Sequence, residues 1–149
     1  MINTQITVFL GCLINDSEVL MIQRDEKECS EAHLKWELPG GKVNFNEACQ
    51  ETVNREFLEE TGIKIKAGNL LPHAQVNYWN YPGGIRQQTL VFCFKCQLIK
   101  EGLIQKGLVQ RDHHVKDIKW IKLKEIDKME TLPGIKEFIK LAVARPQSV

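Results

Sequence analysis

Glu56, Glu59 and Glu60 stand close together in the segment PGGKVNFNEACQETVNREFLEETGI, which runs from Pro39 to Ile63. In an α-helix, where each residue advances the side chains by about 100°, the three fall within an arc of roughly 100°. Carboxylates gathered in this way repel one another unless a cation sits among them. The negative end of a helix dipole adds to that repulsion. Hard oxygen donors in this number suit Mg²⁺ or Mn²⁺, ions that also hold phosphate oxygens well. The other reading is a solvated acidic face, which glutamate-rich helices commonly carry.

The same segment supplies what such a helix needs. Glu47, Glu51, Arg55 and Glu59 lie four residues apart, a spacing that allows ion pairs up one face. Cys49, Val53 and Phe57 form the apolar stripe that would seat the helix on a core. Asn46 is the expected N-cap, and Gly62 suits the left-handed position beyond the C-terminus. Ahead of the helix, Gly40 and Gly41 let backbone approach a ligand closely and turn sharply into it.

The stretch resembles the Nudix box, the signature of the Nudix hydrolases. That pattern is a glycine, five residues, a glutamate, seven residues, then Arg-Glu-apolar-any-Glu-Glu-any-Gly-apolar. Here Gly41, Glu47, Arg55, Glu56, Phe57, Glu59, Glu60, Gly62 and Ile63 meet it. Phe57 stands where the family usually carries an aliphatic residue, and a bulky apolar side chain serves the same packing.

The resemblance implies an α/β fold of the Nudix type, an α/β/α sandwich with a mixed β-sheet and a loop–helix–loop catalytic motif. It implies Mg²⁺ or Mn²⁺ held by Glu56, Glu59 and Glu60, with the backbone carbonyl of Gly40 joining them. Glu59 is the carboxylate expected to activate water, and Arg55 is expected to orient the cluster by pairing with Glu47. Arg24, at the end of a strand where the family often has an arginine near the substrate, is a candidate phosphate or base contact. A surface arginine closing that strand is the other reading. Gly41 shapes the binding loop, and Trp36 is placed either to flank a nucleobase or to pack in the core. An extra acidic residue near the metal would be Asp112 or Asp117.

The implied reaction is hydrolysis of the pyrophosphate linkage in a nucleoside diphosphate joined to another group. The segment WELPGGK resembles MutT-like members, which release pyrophosphate from nucleoside triphosphates. ADP-ribose or a nucleotide sugar is the alternative substrate, and a nucleotide sensor without turnover is the alternative outside the enzymes. Family members are often dimers, so a homodimer is compatible.

Composition sets the outer limits. A chain of 149 residues is expected to form one domain with a real core. Its 20 basic and 19 acidic side chains create no large field to recruit nucleic acid or membrane. No signal sequence or membrane-length apolar run is present. Five unevenly spread cysteines read as reduced thiols, which points to the cytoplasm. Cys93 and Cys96, three apart in a strand, point to opposite faces and cannot both hold one zinc ion without a turn between them.

The remaining elements must position the box. Ile6 to Ile14 and Glu18 to Arg24 read as a hairpin turned at Asn15-Asp16. Asp25 to His33 reads as an exposed polar loop, and Lys35 to Leu38 as a short strand. Beyond the box, strands are expected over Ile63 to Ala67, Asn69 to Trp79, Gln88 to Leu98 and Asp117 to Leu123. A turn at Tyr81-Pro82-Gly83-Gly84 joins the second and third of these. Gly102 to Gln110 reads as a loop. Pro133 then opens a terminal helix whose apolar face is Ile135, Phe138, Ile139 and Val143. His73, Tyr78 and Trp79 are candidates for lining a pocket.

Overall fold

A computed structural model of the chain describes residues 1–99 and 114–145. Strand β1 (Ile2–Asn15), 14 residues long, is the axis of the sheet. Along one edge β1 runs parallel to β7 (Ile85–Leu98), in register from Ile2↔Ile85 to Leu13↔Cys96. Its other edge is shared between β4 (Gly40–Lys42), paired at Leu10↔Gly40, and β2 (Glu18–Arg24), joined by the hairpin at Asn15↔Glu18. Asp16 and Ser17 turn that hairpin with positive φ values of 51° and 64°, the handedness a tight hairpin requires. β5 (Ile65–Leu70) and β6 (Gln75–Tyr81) both pair antiparallel with β7. β2 also pairs with β3 (Trp36–Glu37) and with β8 (Val115–Lys122).

Two helices cover the sheet, and the period of two along β1 decides which residues each helix meets. Leu10 and Cys12 join Val91 and Cys93 of β7 in the core beneath α2 (Ile135–Ala144). Leu13 joins Phe94 and Cys96 in the core beneath α1 (Cys49–Thr61). Val53 and Phe57 are fully buried there, with Cys49 packed at the margin. Burial of side chains of this size stabilises by roughly 1.5–3 kcal/mol each, so the stripe read from the sequence does seat α1. The layers are helix, mixed sheet, helix. No helix among the described residues is long and apolar enough to cross a membrane.

Several boundaries differ from the sequence reading. Asn46 does not cap α1. It adopts φ 67°, the N-cap is Ala48, and the Ala48 amide donates to the Glu51 carboxylate at 3.2 Å. Asn69 and Leu70 belong to β5, and the strand expected over Asn69 to Trp79 begins only at Gln75, beyond Pro72. The Asp25 to His33 loop is not simply exposed, because Cys29 and Ala32 are buried in the α2 core. α2 starts at Ile135, after Gly134 rather than at Pro133. Its buried fourth position is Ala142, while Val143 is 54% exposed. The expected loop over Gly102 to Gln110 and the candidate Asp112 lie outside the described residues.

Candidate active site

The glycine segment and the acidic helix meet at the β4 edge of the sheet. Gly40 N–H donates to Glu60 Oε1 at 2.7 Å, which fixes a carboxylate that is only 6% exposed. A Cβ on Gly40 would strike the Phe9 carbonyl oxygen and approach Leu10 Cα to 2.6 Å. On Gly41 it would meet the Glu56 carboxylate, with Cδ at 2.6 Å and both oxygens within 2.9 Å. At Gly40 the obstacle is β1 backbone, which requires a glycine, whereas at Gly41 it is the end of the Glu56 side chain, whose position the glycine allows.

Arg55 organises the remaining carboxylates. Its Nε and Nη2 donate to the two oxygens of Glu47, at 2.7 and 3.0 Å, as a planar fork. Its Nη1 donates to Glu56 Oε1 at 2.9 Å and to Glu59 Oε2 at 3.3 Å. Glu47 precedes the helix instead of lying within it. It also accepts from the Thr52 hydroxyl at 2.7 Å and the Asn44 amide at 3.1 Å. The Arg55 hydrogen bonds, then that of Thr52, bring the Glu47 carboxyl down to about 2, against the opposing effect of burial. The Arg55 guanidinium is held correspondingly further into its charged form, chiefly by Glu47. Glu51, expected to extend the ion-pair ladder, instead turns back to the Ala48 amide.

The structure thus brings Glu47, Arg55, Glu56 and Glu59 into one network, with Glu60 tied to the adjacent loop. Among the described residues, no three His, Cys, Asp or Glu side chains are gathered tightly enough to hold a metal ion as they stand. The donor set still fits a hard divalent cation. All the donors are carboxylate oxygens, and the missing Cβ of Gly41 leaves room directly against Glu56. Glu59 is the most open of the set, its side chain 54% exposed against 17% for Glu56. Asp117 accepts from the Ile118 amide and pairs with Lys119 at 3.6 Å, and none of its hydrogen bonds reaches α1. Buried Cys93 and Cys96 fall into opposite cores, and burial pushes both thiols up. All five cysteines are free.

On the α2 side of the sheet lies a cleft with a cavity volume of about 70 Å³. Arg24, Glu37, Asn77, Trp79, Tyr81 and Thr89 are among its walls. Arg24 lines this cleft, and its guanidinium is already engaged. Nε donates to Glu37 at 2.6 Å and Nη1 to Glu26 at 2.7 Å, and Glu37 above all holds it in the charged form. Tyr81 Oη donates to the other Glu26 oxygen at 2.6 Å. Burial opposes ionisation of Glu26, and the Tyr81 and Arg24 hydrogen bonds overcome it, leaving its pKa lowered.

Of the aromatic candidates only Trp79 lines the cleft. His73 packs edge-on against Phe138 at 5.1 Å, and Tyr78 lies on the opposite sheet face beneath Arg86. Trp36 packs against the α2 core with Lys119 over its ring. Glu37, Asn77 and Thr89 went unremarked in the sequence. The signal available was a polar residue at an inward-facing strand position, Glu37 between Trp36 and Leu38 and Thr89 in phase with Val91 and Cys93.

Fold and site together define an α/β sandwich with a glycine loop and an acidic helix joined at one sheet edge. The NUDIX domain family model matches residues 5–142, and the chain is a member of the Nudix hydrolase family. It is 31% identical over 110 residues to a Caenorhabditis elegans protein named "Putative nudix hydrolase 1", covering 70% of this chain and 27% of that protein. The chain spans about a third or less of the curated relatives it matches. The solved MutT protein of Methanosarcina mazei Go1 superposes with a TM-score of 0.69 at 25% identity, covering 96% of both chains. The NUDIX domain of Shewanella oneidensis NrtR, solved with ADP ribose, superposes at 0.68 with 20% identity, covering 94% of this chain and 87% of that one.

Proposed function

We propose that this chain is a Mg²⁺- or Mn²⁺-dependent hydrolase that cleaves nucleoside triphosphates to a nucleoside monophosphate and pyrophosphate. The observation that carries the proposal is the continuity of the WELPGG segment. Glu37 lines the cleft and Gly40 bonds Glu60, so three residues, spanning at most roughly 11 Å, link a pocket with aromatic walls to an acidic cluster. A nucleoside in the cleft would deliver its phosphates toward the box.

Glu56, Glu59 and Glu60 would hold the cation, with the Gly40 carbonyl beside them. When bound, it offsets the charge of the phosphate oxygens that otherwise repel a nucleophile, and lowers the pKa of water. Glu59, open to solvent and steadied by Arg55, takes a proton from the attacking water. A new P–O bond forms to water oxygen as the anhydride P–O bond breaks, and pyrophosphate leaves. Arg55, clamped by Glu47, keeps Glu56 and Glu59 in place. No covalent enzyme intermediate is needed.

The test is turnover of nucleoside triphosphates, 8-oxo-dGTP, ADP-ribose and a nucleotide sugar with Mg²⁺, products identified, alongside Glu59→Gln. Release of pyrophosphate from triphosphates, lost in the variant, is the expected result. Turnover confined to ADP-ribose or the sugar nucleotide would replace the substrate assignment. Tight nucleotide binding without turnover would make the chain a sensor.

A further inference from the structure

One guanidinium serves three carboxylates in the acidic cluster. The Nε–Nη2 edge of Arg55 can grip only one of them with paired bonds, and it grips Glu47. Glu56 and Glu59 share Nη1 alone, at 2.9 and 3.3 Å. Nothing in Arg55 itself selects Glu47. Glu59, four residues further along α1, is the partner that helical spacing favours. The choice is made by what else holds Glu47. Its Oε1 accepts from Thr52 Oγ1 at 2.7 Å and from the Asn44 amide at 3.1 Å, besides Arg55 Nη2.

Thr52 is fully buried in the first turns of α1. A helical threonine commonly turns its hydroxyl back to the carbonyl four residues earlier, here that of Ala48 at 3.3 Å. The hydroxyl carries one proton, and the nearer, charged acceptor is Glu47. Valine would fill the same space, so the bond to Glu47 is what the hydroxyl adds at this position.

We infer that Thr52 is a positioning residue that commits the Arg55 fork to Glu47 and so leaves Glu56 and Glu59 available to a divalent cation. The inference rests on the functional reading above for the cation. Without the hydroxyl, Glu47 loses one of the donors on Oε1 and holds the fork less firmly. Arg55 then turns toward Glu56 and Glu59, where its positive charge competes with the ion for the same oxygens.

The experiment is Mn²⁺ binding followed by electron paramagnetic resonance, which needs no turnover, with wild type, Thr52→Val and Thr52→Ser. Side-chain NMR of Arg55 in the metal-free chain accompanies it. Thr52→Val is expected to bind Mn²⁺ about tenfold or more weakly, the scale of losses when a residue behind a metal ligand is changed. The Mg²⁺ concentration for half-maximal turnover should rise to match, with substrate KM at saturating Mg²⁺ changed much less. Thr52→Ser should restore both. The Arg55 Nε–H proton should exchange with water faster in Thr52→Val than in wild type. Thr52→Ala, which removes the hydroxyl without adding a methyl, gives the same comparison should the valine variant not fold. An unchanged Mn²⁺ affinity without the hydroxyl, even with a lowered melting temperature, would overturn the inference and leave the proposed function intact. A serine variant as weak as valine, or an unchanged Arg55 signal, would overturn it too. Wild type that binds no Mn²⁺ and turns over no nucleotide would sink the proposed function, while the Arg55 signal would still report whether Thr52 sets the fork.

Discussion

Gly41 and Glu56 are matched by subtraction: a Cβ on the glycine would stand 2.6 Å from the Glu56 carboxyl carbon. The neighbour it would strike is the end of a flexible side chain, so the fold can yield by swinging Glu56 aside. Gly41→Ala should therefore melt within a few degrees of wild type while losing about 10²-fold in kcat, the scale expected when a catalytic group is displaced by about 1 Å. Paired thermal melts and Mg²⁺-dependent kinetics check this. A variant that unfolds, or one that turns over normally, would show that the close contact has some other meaning.

The clamp between Glu47 and Arg55 has a pH signature. The Glu47 pKa in the fold is about 2, below the unfolded carboxyl value near 4.5. A depressed acid stabilises the fold above its unfolded pKa. That stabilisation fades as pH falls from about 4.5 through about 2, where the folded carboxylate takes up its proton. Wild type should lose stability across this window more steeply than Glu47→Gln, which cannot titrate there. Urea midpoints measured at intervals between pH 2 and 6 give both slopes. Parallel slopes would remove Glu47 from the acid response.

Arg55→Lys tests whether that clamp depends on the fork. Lysine keeps the charge but cannot bond both Glu47 oxygens and still reach Glu56 and Glu59. Turnover is expected to fall by about tenfold or more, with substrate KM changed much less, because the loss lies in orienting carboxylates and not in gripping substrate. A rise in KM at constant kcat would instead place Arg55 against the substrate.

What the sequence revealed was local, and what it concealed was tertiary. Cys49, Val53 and Phe57 announce their shared face because helical spacing alone puts them there, and the box residues are specified by fixed intervals. Asn46 does not cap the helix because its backbone is left-handed and the next residue, Glu47, is held by Thr52 and Arg55 from within the helix, so Ala48 is the N-cap and the helix begins at Cys49. The Asp25 to His33 loop looked solvated by composition, yet Tyr81, which is 55 residues from Glu26, draws it onto the sheet. Glu37 and Thr89 acquire their meaning only when β3, β6 and β7 wall the same cleft. No interval along the chain encodes that meeting.

Gly11→Ala provides a contrasting change that acts on stability. Its Cβ would fall 2.8 Å from Val53 Cγ1, 2.9 Å from Cys96 Sγ and 3.1 Å from Phe57 Cδ2, all within the closed core under α1. Overpacking of this kind costs about 1–3 kcal/mol. The denaturation midpoint should drop without a change in slope. Since Val53 and Phe57 carry α1, a smaller loss of turnover should accompany it. An unchanged midpoint would mean that the α1 core gives way more easily than its packing indicates.

Removal of the metal should separate activity from folding. Arg55 already lies against Glu47, Glu56 and Glu59, and the Gly40 amide already satisfies Glu60, so the acidic cluster is compensated by the protein itself. Chelation by EDTA should abolish turnover while leaving the circular dichroism spectrum unchanged, and added Mg²⁺ should restore turnover fully. The ion should then raise the melting temperature only by mass action, about 2.7 kcal/mol at a hundred times its Kd. A collapse of the fold on chelation would make the ion structural, and would mean that Arg55 does not suffice to hold the glutamates together.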